Sequence, residues 1–192
     1  CLFKGADFMY SMYDDLEYIM IDKKRIEEKV AEIAARLDED YRDKNPILVC
    51  ILKGCAPFFT DLIRAMKIPL QIDFMAISSY GAGASTSGQV KMNKDLDKSI
   101  ENRHVIIVED IMDSGYTLSY LKRMLSSRNP ASLRICALLD KVARREVDIS
   151  PDYKCFDIDN EFVVGYGLDY AEKYRNLPEI GVLKREIYDK AE

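Results

Sequence analysis

Apolar residues recur along the chain at helical spacing in some segments and in short continuous or alternating runs in others. Between residues 22 and 41 they lie three or four positions apart, at Ile26, Val30, Ile33, Leu37 and Tyr41. That spacing predicts an amphipathic helix, with Asp22 as its N-cap. Asn45-Pro46 then ends the pattern.

The remaining pattern predicts strands and helices in alternation. Strands are predicted where apolar residues are continuous or alternate, over 47–52, 70–76, 104–109 and 133–139. Helices are predicted over 57–66 and about 116–127. Strands that alternate with helices indicate an α/β fold, with a mostly parallel sheet, right-handed crossovers and helices on both faces.

Two segments depart from this alternation. Ser78 to Gly88 is nearly all Ser, Gly, Ala and Thr, which predicts a loop or hairpin tip, and long loops inside a domain are often lids. Beyond Pro151 the segments 153–158 and 162–164 are short and aromatic-rich. We expect them to form a small appended subdomain.

Candidate chemistry is concentrated in residues 105–118, Val-Ile-Ile-Val-Glu-Asp-Ile-Met-Asp-Ser-Gly-Tyr-Thr-Leu. A buried strand, a tight polar loop and a helix start together predict an anion site, because backbone N–H groups point at one spot there. The acids Glu109 and Asp110 indicate that the ligand also carries ribose hydroxyls or a metal ion. The alternative is an acidic strand exit in which Asp113 or Ser114 merely caps the helix.

Unusual residues follow four predicted strands, at Lys53-Gly54, Ser79-Tyr80, Glu109-Asp110 and Asp140-Lys141. Each pair alone has an ordinary explanation, such as a turn or a solvated lysine. In open parallel sheets, however, ligands bind at the carboxyl ends of the strands. Their joint placement therefore predicts one ligand site at that edge.

Composition narrows the functional classes. The chain has 192 residues, which suits one domain, and its net charge of −5 argues against a nucleic-acid-binding protein. No run approaches the roughly 18 apolar residues of a membrane span, and the acidic residues of the first 15 positions make a poor signal peptide. The 5 cysteines are scattered without a Cys-x-x-Cys pair, which favours a reducing cytoplasm.

The run from Glu109 to Thr117 resembles the 5-phosphoribosyl-1-pyrophosphate (PRPP) motif of type I phosphoribosyltransferases. Further motifs occur before and after this run, in the order found in the family: Ile51-Leu52-Lys53-Gly54, Ser78-Ser79-Tyr80-Gly81, Leu139-Asp140-Lys141, residues 162–170 and residues 174–178. Together they resemble the hypoxanthine-guanine phosphoribosyltransferase family, of the shorter bacterial type, over about residues 14–188. The resemblance implies the type I phosphoribosyltransferase fold, with one domain over 14–192, a lid loop about 78–94 and a base-binding hood mainly in 141–192. Residues 1–13 have no counterpart and form an N-terminal extension of unknown role.

The resemblance also implies a role for each matching residue. Asp113 is the acid/base at the purine, and Glu109 and Asp110 bind the ribose hydroxyls of PRPP, directly or through Mg²⁺. The 5′-phosphate of PRPP is held by backbone and hydroxyl groups of Asp113, Ser114, Gly115, Tyr116 and Thr117. Pyrophosphate is bound by Lys53, Gly54 and Arg175, in a loop that contains a non-proline cis peptide in this family. Ser79 and Tyr80 start the lid, the purine is bound by Lys141, Phe162, Val163 and Asp169, and Mg²⁺ is held by Glu109, Asp110 and Asp169.

The implied activity is purine salvage, in which a cytoplasmic, Mg²⁺-dependent homodimer or homotetramer transfers phosphoribosyl from PRPP to hypoxanthine or guanine. The implied partners are PRPP and a purine base, with no nucleic acid and no membrane. The alternatives are an enzyme that prefers xanthine or another base, and a PRPP-sensing regulator that has lost catalysis. One departure is Val142, where the bacterial proteins commonly have proline.

Overall fold

The order of elements follows the predicted alternation, with three more strands, at 16–21, 90–94 and 180–183, and a short helix at the end. The computed structural model describes residues 11–79 and 90–189. Its strands are β1 (Leu16–Ile21), β2 (Ile47–Leu52), β3 (Gln71–Ser79), β4 (Val90–Lys94), β5 (His104–Met112), β6 (Ser132–Asp140), β7 (Tyr153–Asp157), β8 (Val163–Val164) and β9 (Ile180–Leu183). Its α-helices are α1 (Lys23–Asp40), α2 (Ala56–Ala65), α3 (Tyr116–Ser126) and α4 (Arg185–Tyr188), and 3-10 turns span Met12–Asp15 and Val142–Arg144.

The main sheet has six strands in the order β4-β3-β2-β5-β6-β7. Strands β3, β2, β5, β6 and β7 are parallel, and β4 is antiparallel to β3 at the edge. One core cluster packs α1 and α2 against one face, and a second packs α3 against the other. Because both faces are covered, β2, β5 and β6 are apolar on both sides, which confirms the predicted α/β fold with a mostly parallel sheet.

A second sheet is built from both ends of the described chain. It has three antiparallel strands in the order β1-β9-β8. We call β1, β8, β9 and the connection between β8 and β9 the hood.

The expected subdomain was wrong for residues 153–158. Strand β7 pairs with β6 in the main sheet, because Tyr153 and Cys155 alternate into the main core. The segment 162–164 does lie outside the main sheet, in the hood with β1, and β1 had no predicted counterpart. Strand β1 could not be predicted from its apolar pattern, because only its end residues Leu16 and Ile21 are buried.

Two strands extend further than predicted. Strand β5 continues to Met112 and pairs with β6 as far as Met112 and Asp140, so Glu109 and Asp110 lie within the strand and not after it. Strand β3 continues through Ser79, which pairs with Val90 of β4. The expected lid at 78–94 therefore begins and ends in strands, while Tyr80 lies outside the described residues.

No helix in the described part of the chain is long and apolar enough to span a membrane.

Candidate active site

A cavity of about 350 Å³ opens at the carboxyl ends of β2 and β5 and the start of α3. Its lining joins the predicted residues Lys53, Gly54, Glu109, Asp110, Asp113, Ser114, Gly115, Thr117, Asp169 and Arg175. Tyr116 is not among the lining residues, and its side chain is 49% exposed at the start of α3. Two of the four predicted strand ends, those of β2 and β5, therefore meet here, and we call this space the phosphoribosyl cavity.

The loop from Asp113 to Thr117 leads directly into α3. Gly115 is the N-cap residue in the left-handed conformation, with φ 89°, and no side chain caps the helix. A Cβ at Gly115 would lie 2.7 Å from Cγ2 of Ile149, so only glycine fits there. Because Asp113 and Ser114 do not cap α3, the capping alternative is wrong. The first-turn N–H groups remain suited to an anion such as phosphate.

Glu109 and Asp110 place two carboxyl groups in a largely dry part of the cavity. Burial raises the pKa of Glu109 well above its usual range, and the neighbouring charge of Asp110 raises it further. Burial also raises the pKa of Asp110, although the N–H of Ile111 donates to its Oδ1 at 2.7 Å. A bound cation or ribose hydroxyls would relieve the cost of ionising both groups.

The donor set suits Mg²⁺, which is usually held by one or two carboxylates together with ligand oxygens and water. Across residues 11–79 and 90–189, no three His, Cys, Asp or Glu side chains are grouped closely enough to hold a metal by themselves. A substrate that brings its own oxygens would complete the coordination.

Two cations border the phosphoribosyl cavity, and Glu172 contacts both. Lys53 Nζ lies 3.2 Å from Glu172 Oε1, and Arg175 Nη2 lies 3.5 Å from Glu172 Oε2. Arg175 Nη2 also lies 2.8 Å from Asp169 Oδ1. Residues 169–175 lie in the connection between β8 and β9 and not on a helix. Glu172 was missed in the sequence, where it has the pattern of an ordinary surface acid.

The peptide bond between Leu52 and Lys53 is cis, as the resemblance predicts. The next residue, Gly54, packs so closely on Asp110 that a Cβ would collide with the carboxylate. The turn after β2 thus packs directly on the Asp110 side chain of β5.

A second cavity of about 300 Å³ adjoins the first and shares Asp110, Ile111, Asp113 and Asp169 with it. Its other lining residues are Lys141, Phe162, Val163 and Leu168. Lys141 is only 8% exposed, and burial lowers its pKa, with the charge of Asp113 opposing that shift. This space, the base cavity, offers apolar and aromatic contact with one buried amine donor.

Asp113 lies on the wall between the two cavities, within reach of Arg144. Arg144 Nε donates to Asp113 Oδ1 at 3.2 Å, from the turn that follows Lys141. Arg144 was not among the sequence predictions, because a surface arginine in a short turn carries no signal of its own.

His104 lies at the opposite edge of the sheet, where β5 begins. Its Nδ1 is 2.8 Å from Ser132 Oγ, in a polar cavity of about 470 Å³. The polar groups there pair with one another, for example Arg134 with Asp152 at 2.6 Å. The single histidine is therefore structural in its setting and has no contact with the phosphoribosyl or base cavity.

The fold, the anion-binding loop and the acid pair define the class of protein as a phosphoribosyltransferase. The family model for the phosphoribosyl transferase domain matches residues 19–171. A curated hypoxanthine-guanine phosphoribosyltransferase from Streptococcus thermophilus is 51% identical over 92% of this chain and 98% of its own length. The chain belongs to the hypoxanthine-guanine phosphoribosyltransferase family.

Solved structures agree in fold. A hypoxanthine phosphoribosyltransferase from Staphylococcus aureus superposes with a TM-score of 0.90 at 48% identity, covering 94% of this chain and 98% of that one. A hypoxanthine phosphoribosyltransferase from Trypanosoma cruzi gives 0.88 at 43% identity, covering 94% of this chain and 97% of that one. The predicted type I phosphoribosyltransferase fold is confirmed.

Proposed function

We propose that this enzyme transfers the 5-phosphoribosyl group of PRPP to hypoxanthine or guanine, releasing pyrophosphate and forming IMP or GMP in purine salvage. The observation that carries the proposal is the pair of adjoining cavities with Asp110, Ile111, Asp113 and Asp169 in common. One cavity has acids, cations and an anion-binding loop, and the other has an aromatic wall and a buried amine. A sugar phosphate and a purine would therefore meet at Asp113.

The charges around the phosphoribosyl cavity suit displacement of pyrophosphate from the anomeric carbon. That reaction passes through a state with positive charge on the sugar and negative charge on the leaving group. Glu109 and Asp110 would face the ribose, and Lys53 and Arg175 would hold pyrophosphate; all four line the same cavity. Preorganised charges of this kind stabilise a transition state strongly.

Asp113 is the residue we assign as acid/base at the purine. It borders both cavities, and a carboxylate within reach of the ring is suited to handle the proton on nitrogen 7. Phe162 would stack on the purine, Val163 would offer backbone contacts, and Lys141 would donate to the 6-oxygen.

Mg²⁺ is the cofactor we assign, with one ion at Glu109 and Asp110 and a second at Asp169, since the described residues include no group of three such ligands. When bound, it would neutralise charge on the pyrophosphate and orient the ribose diol. The acids fit this role because two of them carry raised pKa values in the free protein and gain from a nearby cation.

Three further assignments stay predictions. They are a lid that starts at Ser79 and Tyr80, a homodimer or homotetramer, and a cytoplasmic location. Size-exclusion chromatography with light scattering tests the second.

The decisive experiment measures pyrophosphate release from PRPP with hypoxanthine, guanine, xanthine or adenine. We expect release with hypoxanthine and guanine only when Mg²⁺ is present, and none after exhaustive EDTA treatment. Activity that persists in EDTA would refute the metal assignment. Release with xanthine alone would favour the xanthine enzyme, and PRPP binding without release with any base would favour the regulator.

A further inference from the structure

The ring of Phe162 lies against two tyrosines. Tyr188 of α4 stacks on it, with ring centroids 4.6 Å apart and an angle of 18° between the planes. Tyr170 meets it edge-on, at 5.6 Å and 87°. The resemblance assigned a purine contact to Phe162 and nothing to Tyr188.

Tyr188 stacks on Phe162 without lining the base cavity. The lining of that cavity includes Phe162 but neither Tyr188 nor Tyr170. Tyr188 therefore does not fill the space proposed for the purine. It covers one face of the Phe162 ring, and Phe162 as a whole remains 37% exposed.

The last turn of the described chain is fixed in place, so Tyr188 is a firm support. The N–H of Lys184 donates to the carbonyl of Asp15 at 2.9 Å, and Lys184 Nζ donates to the carbonyl of Asp14 at 2.7 Å. Ile187 and Tyr188 pack against the hood cluster of Leu16, Val164, Tyr174, Leu177 and Leu183.

We propose that Tyr188 is a positioning residue for the purine, which holds the ring of Phe162 flat so that the base stacks on its free face. The inference rests on the proposed function of Phe162. Phe162 itself directly precedes the two-residue strand β8, and its own carbonyl accepts from the N–H of Leu183 at 2.8 Å. The backbone is thus fixed, but the ring needs a neighbour to fix its plane.

Two features separate this role from general hood stability. Loss of Tyr188 should affect binding of the base and not of PRPP, because Tyr188 does not line the phosphoribosyl cavity either. The effect should also depend on the ring of Tyr188 and not on its hydroxyl, because the contact with Phe162 is a ring stack. An aromatic pair contributes an amount that corresponds to about 2- to 10-fold in an equilibrium constant.

The test compares Tyr188→Ala, Tyr188→Phe and Phe162→Leu in steady-state transfer from PRPP to hypoxanthine. Tyr18→Ala serves as the matched control, since Tyr18 is also a hood tyrosine but is 49% exposed on β1. We expect Tyr188→Ala to raise the KM for hypoxanthine about 2- to 10-fold and to leave the KM for PRPP within about twofold. Tyr188→Phe and Tyr18→Ala should match the unmodified enzyme. When Tyr188→Ala and Phe162→Leu are combined, the KM for hypoxanthine should rise by less than the product of the two single increases.

Other results overturn the inference in distinguishable ways. If Phe162→Leu raises the KM for hypoxanthine and Tyr188→Ala does not, Phe162 keeps its proposed role and Tyr188 has none. If Tyr188→Ala raises both KM values and lowers the melting temperature, its role is structural. If it lowers the KM for hypoxanthine, Tyr188 obstructs the base. If Phe162→Leu changes neither KM, the proposed purine contact fails and the inference fails with it.

Discussion

Asp113 shows how one residue connects the two halves of the site. It borders both cavities, and its carboxylate receives a hydrogen bond from Arg144 at 3.2 Å. The side chains of Arg144 and Asp113 are 50% and 43% exposed, so the pair contributes at most about 1 kcal/mol to stability. The position of Asp113 therefore matters for chemistry more than for folding.

Asp113→Asn should lower turnover by about 10² to 10⁴, because the amide cannot take up the purine proton. PRPP binding and the melting temperature should stay close to those of the unmodified enzyme, since Asp113 caps no helix. Turnover, PRPP binding and thermal unfolding measure the three quantities. Arg144→Gln is the matched control, because it removes the ion pair and keeps the carboxylate. A variant that unfolds earlier but keeps its turnover per folded molecule would contradict the assignment.

Lys141→Gln tests base choice. An ammonium group only donates hydrogen bonds, so it matches a 6-oxo group and faces the 6-amino group of adenine with another donor. Burial of Lys141 makes that mismatch costly, and discrimination of about 10⁴ or more is expected in the unmodified enzyme. Gln both donates and accepts, so the variant should narrow the ratio of kcat/KM values, mainly by weakening the reaction of hypoxanthine. Adenine used within tenfold of hypoxanthine by the unmodified enzyme would end this role for Lys141.

At the scale of the elements, the apolar pattern predicted the strands and helices that have the longest buried runs. The runs of β2, β5 and β6 and the helical spacing of α1 were predicted correctly, because each buries a continuous or periodic set of side chains. Strand β1 was missed because only Leu16 and Ile21 are buried in it. Strand β9 was also missed, although all four of its residues are buried, because so short a run shows no period. Strand β7 was placed in the wrong sheet, since an alternating edge strand fits either sheet and its pairing with β6 depends on the fold.

At the site, sequence predicted the residues with motif character and missed those that depend on long-range contacts. Lys53 and Glu172 are 119 positions apart and meet only because the connection between β8 and β9 folds over the end of β2. No local pattern marks such a pair, and the same holds for Arg144 and Tyr188.

Glu172→Gln should strengthen pyrophosphate binding. In the free protein Glu172 contacts Lys53 and Arg175, and the pairing with Lys53 is the main reason that the pKa of Glu172 is lowered. Pyrophosphate would compete with this carboxylate for the same cations. Exposed ion pairs contribute little each, so we expect inhibition by pyrophosphate to become about 2- to 5-fold tighter.

Glu101→Gln is the matched control for Glu172, because Glu101 is an exposed acid before β5, outside both cavities. Weaker pyrophosphate inhibition in Glu172→Gln would instead mean that Glu172 holds Arg175 in its binding position.

At the scale of the whole molecule, ionising the buried acid Glu109 lowers the folding stability of the protein. Glu109 lies in β5, the strand between β2 and β6, and burial raises its pKa well above its usual range. As pH rises above about 4, the unfolded chain releases the proton of Glu109, while the folded protein keeps it until the higher folded pKa is reached. The contribution of Glu109 to stability is therefore full at low pH and falls as pH rises.

Glu109→Gln should remove this loss of stability at rising pH. The melting temperature of the variant minus that of the unmodified free protein should increase from pH 4 toward pH 8, reaching about 2 °C or more. Transfer activity should fall at the same time, because the carboxylate is lost from the ribose side. Thermal unfolding across this pH range checks the slope, with Glu101→Gln as the exposed control. A difference that is constant or shrinks with rising pH would contradict the sign.

The hydrogen bonds from Lys184 to the carbonyls of Asp14 and Asp15 have a consequence for how the polypeptide is connected. They hold the first and last described turns side by side, next to the ring that supports the base cavity. A circular permutant that links these turns and opens the chain at a distant surface loop would preserve every strand pairing of both sheets.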